Sequence, residues 1–305
     1  MSHSTMYPTD TNDISHRRTS SPTALTKLDP VPEGDSIYQL SRRLQPLVGR
    51  EVLHSSIRVP RFATTSLNGR TLDHIWSYGK HLFMDFSGLC VHTHLKMEGT
   101  WSIHRAGDRW RKPGHTARIV VQLQGAPTHS HPIEVVGFSL GFLRIFPTRD
   151  YPLAIKELGP DVLDPQWPEE GHPLALANIL SRPNRPIGTA LLDQKNLAGV
   201  GNEYRAEICF LAGIHPATPV AHTDVEQVLA ITRHLMWENR NQPLRVSTGV
   251  RRAGENAYVF GRNNRPCRRC GTLITKGFLG GIDRGGDADE LERVIWWCPH
   301  CQPLK

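Results

Sequence analysis

The chain has 305 residues, 38% of them hydrophobic, and carries a formal net charge of +7. This length allows two domains and a small further module. No apolar run approaches the ~20 residues that span a membrane, and the N-terminus lacks the apolar segment of a secretion signal. We therefore expect a soluble cytoplasmic protein. Its basic charge fits a polyanionic partner or, equally, an evenly solvated surface.

The first thirty residues differ from the rest of the chain. Residues 1–30 are rich in Ser, Thr, Asp and Pro and have almost no apolar periodicity. Their three basic and three acidic side chains cancel, so the net charge belongs wholly to residues 31–305. This composition predicts a disordered extension.

A short helix and a run of strands are expected next. Ile37, Leu40 and Leu44 recur at helical spacing until Pro46 and Gly49 end the pattern. β-rich runs separated by Gly, Asn and Pro then predict a β-sandwich or barrel. Examples are residues 52–59, 81–86, 89–95, 116–123 and 142–146.

Residues 174 to about 241 have a helical pattern. Residues 223–226 form a predicted capping box that begins at Thr223. Upstream, Gly199 and Gly201 bracket a turn before Asn202. Such a turn lets backbone approach a phosphate, and the free amides of the following helix start favour an anion. An ordinary helix–helix turn is the alternative.

Two CxxC pairs near the C-terminus predict one structural zinc site. Each two-residue spacer lets a pair chelate one ion, and four thiolates complete a tetrahedral Zn²⁺ site. Redox-active pairs are the alternative, but no βαβ pattern surrounds them. The predicted ligands are Cys267, Cys270, Cys298 and Cys301.

Other features of this region are expected from the same pattern. Residues 280–290 are expected to extend a hairpin loop, and His300 is expected at the surface. Cys90 and Cys209, which stand alone among apolar residues, are expected to be buried. The module is also dense in arginine, which suits phosphates. Its arginines are Arg262, Arg265, Arg268, Arg269 and Arg293.

Four segments, in this order, resemble the formamidopyrimidine-DNA glycosylase/endonuclease VIII family of base-excision repair enzymes. They are residues 32–35 (PEGD), 94–99 (HLKMEG), 194–216 and 259–302. The resemblance covers essentially everything after residue 30. The other branch has an extended Arg–Phe pair that we do not find in residues 143–151, which favours the endonuclease VIII branch and, weakly, oxidised pyrimidines.

The resemblance implies an α+β multidomain fold. A disordered extension (1–30) precedes a catalytic β-sandwich domain with a leading helix (31–165). A helix-two-turn-helix DNA-binding domain (166–262) and a zinc-ribbon hairpin (263–305) complete the chain. The implied protein is a monomeric, nucleoid-associated bacterial enzyme that binds damaged double-stranded DNA and one structural Zn²⁺.

The resemblance also assigns roles to single residues. Pro32 is the implied nucleophile, which attacks C1′ of the damaged nucleotide and leads, through a Schiff base, to β,δ-elimination. Glu33 moves protons on the sugar and leaving base, and Lys80 reaches the DNA beside the lesion. From the residues alone, a helix start is the preferred explanation of Pro32-Glu33, and a surface lysine explains Lys80 equally well.

The implied DNA contacts are four. Met97 wedges into the space of the flipped base, with core packing as its alternative. Asn202, Arg262 and Arg293 are the expected polar contacts to DNA.

The nitrogen of Pro32 poses a chemical problem. Residue 31 acylates it in this sequence, and an amide lone pair is delocalised into the carbonyl and is not nucleophilic. We expect translation to start at position 31, where a GTG codon encodes Met rather than Val, with that Met later removed. If residues 1–30 are retained, the alternative is an inactive damaged-DNA-binding protein of the same fold. A general zinc-ribbon nucleic-acid module unrelated to repair is a separate alternative.

Overall fold

The computed structural model describes residues 32–125, 131–252, 254–281 and 292–304. The predicted extension (1–30) and most of the loop expected at 280–290 lie outside the described residues. Helix α1 (Gly34–Leu44) opens the described chain, and the N–H of Glu33 donates to the hydroxyl of Ser36 at 3.0 Å. Its apolar stripe of Ile37, Leu40 and Leu44 is buried, as the spacing predicted.

Two four-stranded antiparallel sheets form the predicted β-sandwich. One has the strand order β1-β6-β7-β5 and the other β2-β3-β4-β8. The strands are β1 (Val52–Ile57), β2 (Leu72–Tyr78), β3 (His81–Phe86), β4 (Leu89–His94), β5 (Thr100–Arg105), β6 (Ala117–Leu123), β7 (Ile133–Phe138) and β8 (Phe142–Pro147).

The inner faces of both sheets and the apolar stripe of α1 share one hydrophobic core. Strand β3 is buried on its outer face as well, because the ring of Phe83 stacks on Trp76 of β2 and meets Tyr151 edge-on. The sheet that carries β3 is therefore covered on both sides at this point.

Five helices come after the sandwich, and the four from residue 172 onwards occupy the segment predicted to be helical. They are α2 (Tyr151–Ile155), α3 (His172–Leu180), α4 (Ile187–Leu192), α5 (Asn202–Leu211) and α6 (Val225–Asn239). The predicted capping residue of α6 is wrong by one position: Asp224, not Thr223, accepts the N–H of Gln227 at 3.0 Å. The hydroxyl of Thr223 instead donates backwards to the carbonyl of Pro219. No helix in the described ranges is long and apolar enough to cross a membrane.

The C-terminal module is a two-stranded antiparallel hairpin of β9 (Thr275–Leu279) and β10 (Arg293–Trp297). Its buried residues share a small core with Ala206 and Phe210 of α5. Cys90 and Cys209 are buried and His300 is exposed, as predicted. The exact domain boundaries at 165 and 262 stay predictions.

The sandwich and the helical part meet through backbone at the start of α1. The N–H of Gly34 donates to the carbonyl of Gly199 at 2.9 Å. A Cβ on Gly34 would lie 2.9 Å from the Cα of Gly199 and 2.9 Å from Cε of Met236. This contact between two main chains therefore requires glycine.

We expect Gly34→Ala to lower the free energy of unfolding by about 1–3 kcal/mol, because the added methyl overpacks a backbone contact. Gly114→Ala is the matched control, since its Cβ would meet only ring carbons of Trp110 at 3.8 and 3.9 Å. Urea unfolding of both variants measures the difference. Equal stabilities would contradict the close approach.

Candidate active site

The Pro32-Glu33 head lies against the first turn of α5. Glu33 is fully buried, and its carboxylate accepts the N–H of Gly201 at 2.7 Å and that of Glu203 at 2.8 Å. Gly201 has to be glycine, because a Cβ there would lie 2.6 Å from Oε1 of Glu33. The expectation that these amides bind a phosphate is wrong: the anion at this helix start is a side chain of the protein.

A buried ionic cluster surrounds Glu33. Arg245, from the segment after α6, donates to Asp35 and to Glu203, all with little exposed surface. Burial raises the pKa of Glu203 to about 7, Arg245 opposes this rise and Glu33 adds to it. The head is therefore fixed by charge as well as by backbone hydrogen bonds.

Lys80 lies in the tight turn between β2 and β3, as predicted. The preceding Gly79 adopts φ +53°, and its N–H donates to the carboxylate of Asp161 at 2.9 Å. Burial lowers the pKa of Lys80 to about 8; Glu33 opposes this change, whereas Arg245 and other guanidinium groups add to it. Lys80 and Glu33 are thus close enough for their charges to interact.

Met97 lies on the loop between β4 and β5, and 67% of its surface is exposed. Core packing, the alternative considered from the sequence, is therefore wrong. The loop begins after His94, whose pKa falls to about 3 because of burial, with His81, Lys80 and Lys96 contributing. His94 pairs with His81 between β4 and β3, and their ring centroids are 4.9 Å apart, so the base of the Met97 loop lies next to the Lys80 turn.

Asn202 and Arg293 lie at neighbouring element starts. Asn202 is the first residue of α5, and its Nδ2 donates to the carbonyl of Val294 at 2.9 Å. Arg293 is the exposed first residue of β10. A cleft of about 520 Å³ opens here, and its lining includes Lys195, Arg205 and Arg293. The structure thus brings these two predicted residues together.

Arg262 has a different environment. Its guanidinium donates to the carbonyl of Tyr258 and, at 2.8 Å, to that of Pro266, just before the first cysteine pair. These bonds brace the backbone that leads into the cysteine module. A contact between Arg262 and DNA stays a prediction.

The four predicted cysteine ligands converge. Their Sγ atoms all lie within 4.8 Å of one another, with 3.9 Å between Cys267 and Cys301 and 3.5 Å between Cys270 and Cys298. Four thiolates about 2.3 Å from one tetrahedral ion are separated by about 3.8 Å. The cluster therefore fits one metal ion with a closed coordination sphere.

Several residues of the site were not found from the sequence. Asp161, Arg205 and Arg245 have no motif of their own, and Asp35, although it lies in the PEGD segment, was given no role; Arg245 lies 210 positions from its partner Asp35. The available signal was the charge of Arg205 and Glu207 among the mostly apolar residues 204–211. Both proved to be fully buried.

Comparison with known proteins identifies two matching family models. The formamidopyrimidine-DNA glycosylase N-terminal domain matches residues 31–132, and the formamidopyrimidine-DNA glycosylase H2TH domain matches residues 158–238. Together they contain α1, the sandwich up to the start of β7, and α3–α6. Glu33, Lys80 and the first turn of α5 therefore lie in matched regions, whereas Arg245, Arg293 and the four cysteines lie outside them.

Relatives match along most of their length. "Probable endonuclease 8 2" of Streptomyces coelicolor is 40% identical over 89% of this chain and 94% of its own. "DNA-(apurinic or apyrimidinic site) lyase Nei2" of Mycolicibacterium smegmatis is 39% identical over 89% and 99%. "Formamidopyrimidine-DNA glycosylase" of Listeria innocua is 29% identical over 89% and 100%.

Solved structures share the fold. The Lactococcus lactis formamidopyrimidine-DNA glycosylase, non-covalently bound to DNA containing an AP site, superposes with a TM-score of 0.68 at 20% identity. The match covers 89% of this chain and 99% of that one. The higher identities are to the endonuclease 8 relatives, in agreement with the expected branch. The chain belongs to the formamidopyrimidine-DNA glycosylase/endonuclease VIII family.

Proposed function

We propose that the protein is a base-excision repair DNA glycosylase and AP lyase that acts on damaged double-stranded DNA. The observation that carries this proposal is the arrangement of Pro32, Glu33 and Lys80 around the first turn of α5. It brings the nitrogen of Pro32, which is an amine only when no residue precedes it, together with a buried carboxylate and a lysine of lowered pKa. Perturbed groups of this kind cluster at functional sites.

The nucleophile in this proposal is the secondary amine of Pro32. Its lone pair attacks C1′ as the bond to the damaged base breaks, and the base leaves with the bonding electrons and takes up a proton. The nitrogen then loses its proton, and the C1′–O4′ bond breaks while O4′ takes up a proton, which gives a ring-opened iminium. The iminium acidifies the C2′ hydrogen, and loss of that proton expels the 3′ phosphate and cuts the strand. The amine must be free, because an amide nitrogen has no available lone pair.

Glu33 is the proposed proton carrier. Both of its oxygens accept backbone N–H groups, which fixes the orientation of the carboxyl group next to the nucleophile. A fixed carboxylate can exchange protons with the sugar oxygen and leaving base without rearrangement.

The DNA contacts are proposed around this centre. Arg293, which lines the 520 Å³ cleft, and Asn202, which is hydrogen-bonded to the neighbouring Val294, are proposed to contact the DNA backbone, and Lys80 is proposed to contact the phosphate beside the lesion. The exposed side chain of Met97 occupies the space left by the flipped base. The guanidinium of Arg262 bonds to the backbone that leads into the cysteine module. Of the four predicted DNA contacts, that of Arg262 has the least structural support.

Zinc is the proposed ion of the cysteine cluster. A closed set of four thiolates favours Zn²⁺ over harder cations and leaves no position for a reacting water. Its role is to hold the module that presents Arg293 against α5.

The names of the relatives, an endonuclease 8 and a DNA-(apurinic or apyrimidinic site) lyase, support an enzyme rather than an inactive binding protein. Within the family, the resemblance to the endonuclease VIII branch favours oxidised pyrimidines as substrates.

The first prediction concerns the amine. A protein that begins at Pro32 should be trapped covalently on abasic-site DNA by borohydride, and one additional residue before Pro32 should abolish trapping. Pro32→Gly should retain some reaction, because it still presents an amine. Efficient trapping by a chain whose residues 1–31 are verified by mass spectrometry would refute this mechanism.

The second prediction concerns Lys80. Because its pKa is about 8 in the free protein and a phosphate favours its charged form, affinity for abasic DNA should fall by up to about tenfold from about pH 7 to 9. Lys80→Arg should remove this slope, since arginine stays charged. Lys156→Arg, at an exposed position, should retain it. An unchanged slope in Lys80→Arg would place the titrating group elsewhere.

The third prediction concerns the metal. Atomic absorption should find one zinc per chain, and Cys270→Ser should lose it together with DNA affinity. Cys209→Ala, which alters a buried cysteine outside the cluster, should keep both. Binding of full strength by a metal-free protein would contradict the structural role.

A further inference from the structure

Arg245 lies outside both regions that match the family models. It comes after α6, and the backbone around it is anchored: the N–H of Val246 donates to Asn239 at 2.8 Å, and the carbonyl of Arg245 accepts from Asn256 at 2.8 Å. Arg245 is buried, with only 4% of its surface exposed. A buried guanidinium on a connecting segment requires an explanation, because an uncompensated buried charge is strongly destabilising.

Three carboxylates surround this guanidinium. Nη2 and Nε contact the two oxygens of Asp35 at 2.5 and 2.9 Å, in a bidentate arrangement. Nη1 lies 2.7 Å from Oε2 of Glu203 and 3.7 Å from Oε1 of Glu33. Arg245 therefore connects Asp35, which lies two residues after Glu33, with the carboxylates of Glu33 and Glu203 at the start of α5.

The cluster is closed by further groups on the elements packed against it. The hydroxyl of Tyr204 donates to Asp35 at 2.9 Å, and its ring lies 4.6 Å from the guanidinium carbon. Lys80 from the β2–β3 turn and Arg205 from α5 act on Glu33, whereas Glu207 of α5 acts on Glu203. Within the cluster itself, three carboxylates face one guanidinium.

We propose that Arg245 is a positioning residue that holds the carboxyl group of Glu33 in its orientation towards the sugar, and that the charge balance of the Asp35–Arg245–Glu203 cluster sets the acidic limit of base excision. This inference rests on the proposed function. Like charges in one buried site make proton uptake easier, and an opposite charge makes it harder. The balance of the cluster therefore decides the pH at which the site takes up a proton.

The titration of Glu203 supports this assignment. Its pKa of about 7 arises mainly from burial, with Arg245 lowering it and Glu33 raising it. As the pH falls through this value, the cluster gains a proton a few ångströms from the carboxylate that the chemistry uses. The limit on activity then lies near neutral pH and depends on residues that do not touch the substrate.

Two substitutions change the charge balance in opposite directions. Arg245→Gln removes the cation, so the three carboxylates hold protons more readily and the acidic limb of the activity profile should move up by about one pH unit or more. Asp35→Asn removes one carboxylate with little change of shape, so the acidic limb of the activity profile should move to lower pH. Loss of packing alone cannot give shifts of opposite sign.

The experiment measures single-turnover excision of a damaged base across the pH range, with the form of the protein that is trapped on abasic DNA. Urea unfolding confirms that each variant is folded, and Glu226→Gln, an exposed carboxylate of α6, is the control that should leave the profile unchanged. If Arg245→Gln does not fold, Asp35→Asn and the charge-retaining Arg245→Lys, which should keep the wild-type limb, decide the question.

Opposite shifts of the acidic limb support the inference. Shifts in the same direction, or lower rates with an unmoved limb in folded variants, would overturn it and leave Arg245 a purely structural residue. An unsubstituted protein with no excision and no trapping would overturn the proposed function as well, so the two failures are distinguishable.

Discussion

The geometry of the site depends on one carboxylate placed over the end of a helix. Glu33 comes from the first described turn of the chain, and the amides that it accepts belong to residues 168 and 170 positions later. This hydrogen-bonded contact joins the sandwich to the helical part at the place where the proposed chemistry occurs. It also explains two glycines, because Gly34 and Gly201 leave room for backbone and carboxylate to approach.

Burial of charge gives the site its electrostatic character. Ionised groups removed from water remain ionised only when partners compensate for the lost hydration. Here the partners are arranged around Arg245, and the same burial that raises the pKa of Glu203 lowers the pKa of Lys80. Positioning and charge control are therefore supplied by the same few contacts.

The sequence predicted the parts better than their connections. Local patterns located α1, the strands that carry the Lys80 turn and the four cysteines, because periodicity and short spacers act over few residues. The partner of the α5 amides could not be predicted, since a helix start attracts any anion and the pattern cannot distinguish a phosphate from Glu33. Likewise, nothing local links Asp35 with Arg245, because their contact arises only from tertiary packing.

Errors at the level of single residues have physical causes too. Thr223 and Asp224 are both good capping residues, and the choice between them depended on a hydrogen bond from Thr223 back to Pro219. The exposure of Met97 agrees with the role that the family resemblance implied, but the pattern alone could not decide it, because an apolar residue in a strand-rich region has the same pattern whether it packs or protrudes.

Asp161 gives the arrangement a mechanical property. It lies in the segment between the sandwich and the helices, holds the Lys80 turn through Gly79, and pairs with Ala198 in a parallel bridge. Asp161 therefore links the Lys80 turn of the sandwich to the backbone just before the glycine turn of the helical part, so the two sides of the site cannot separate unless these contacts break.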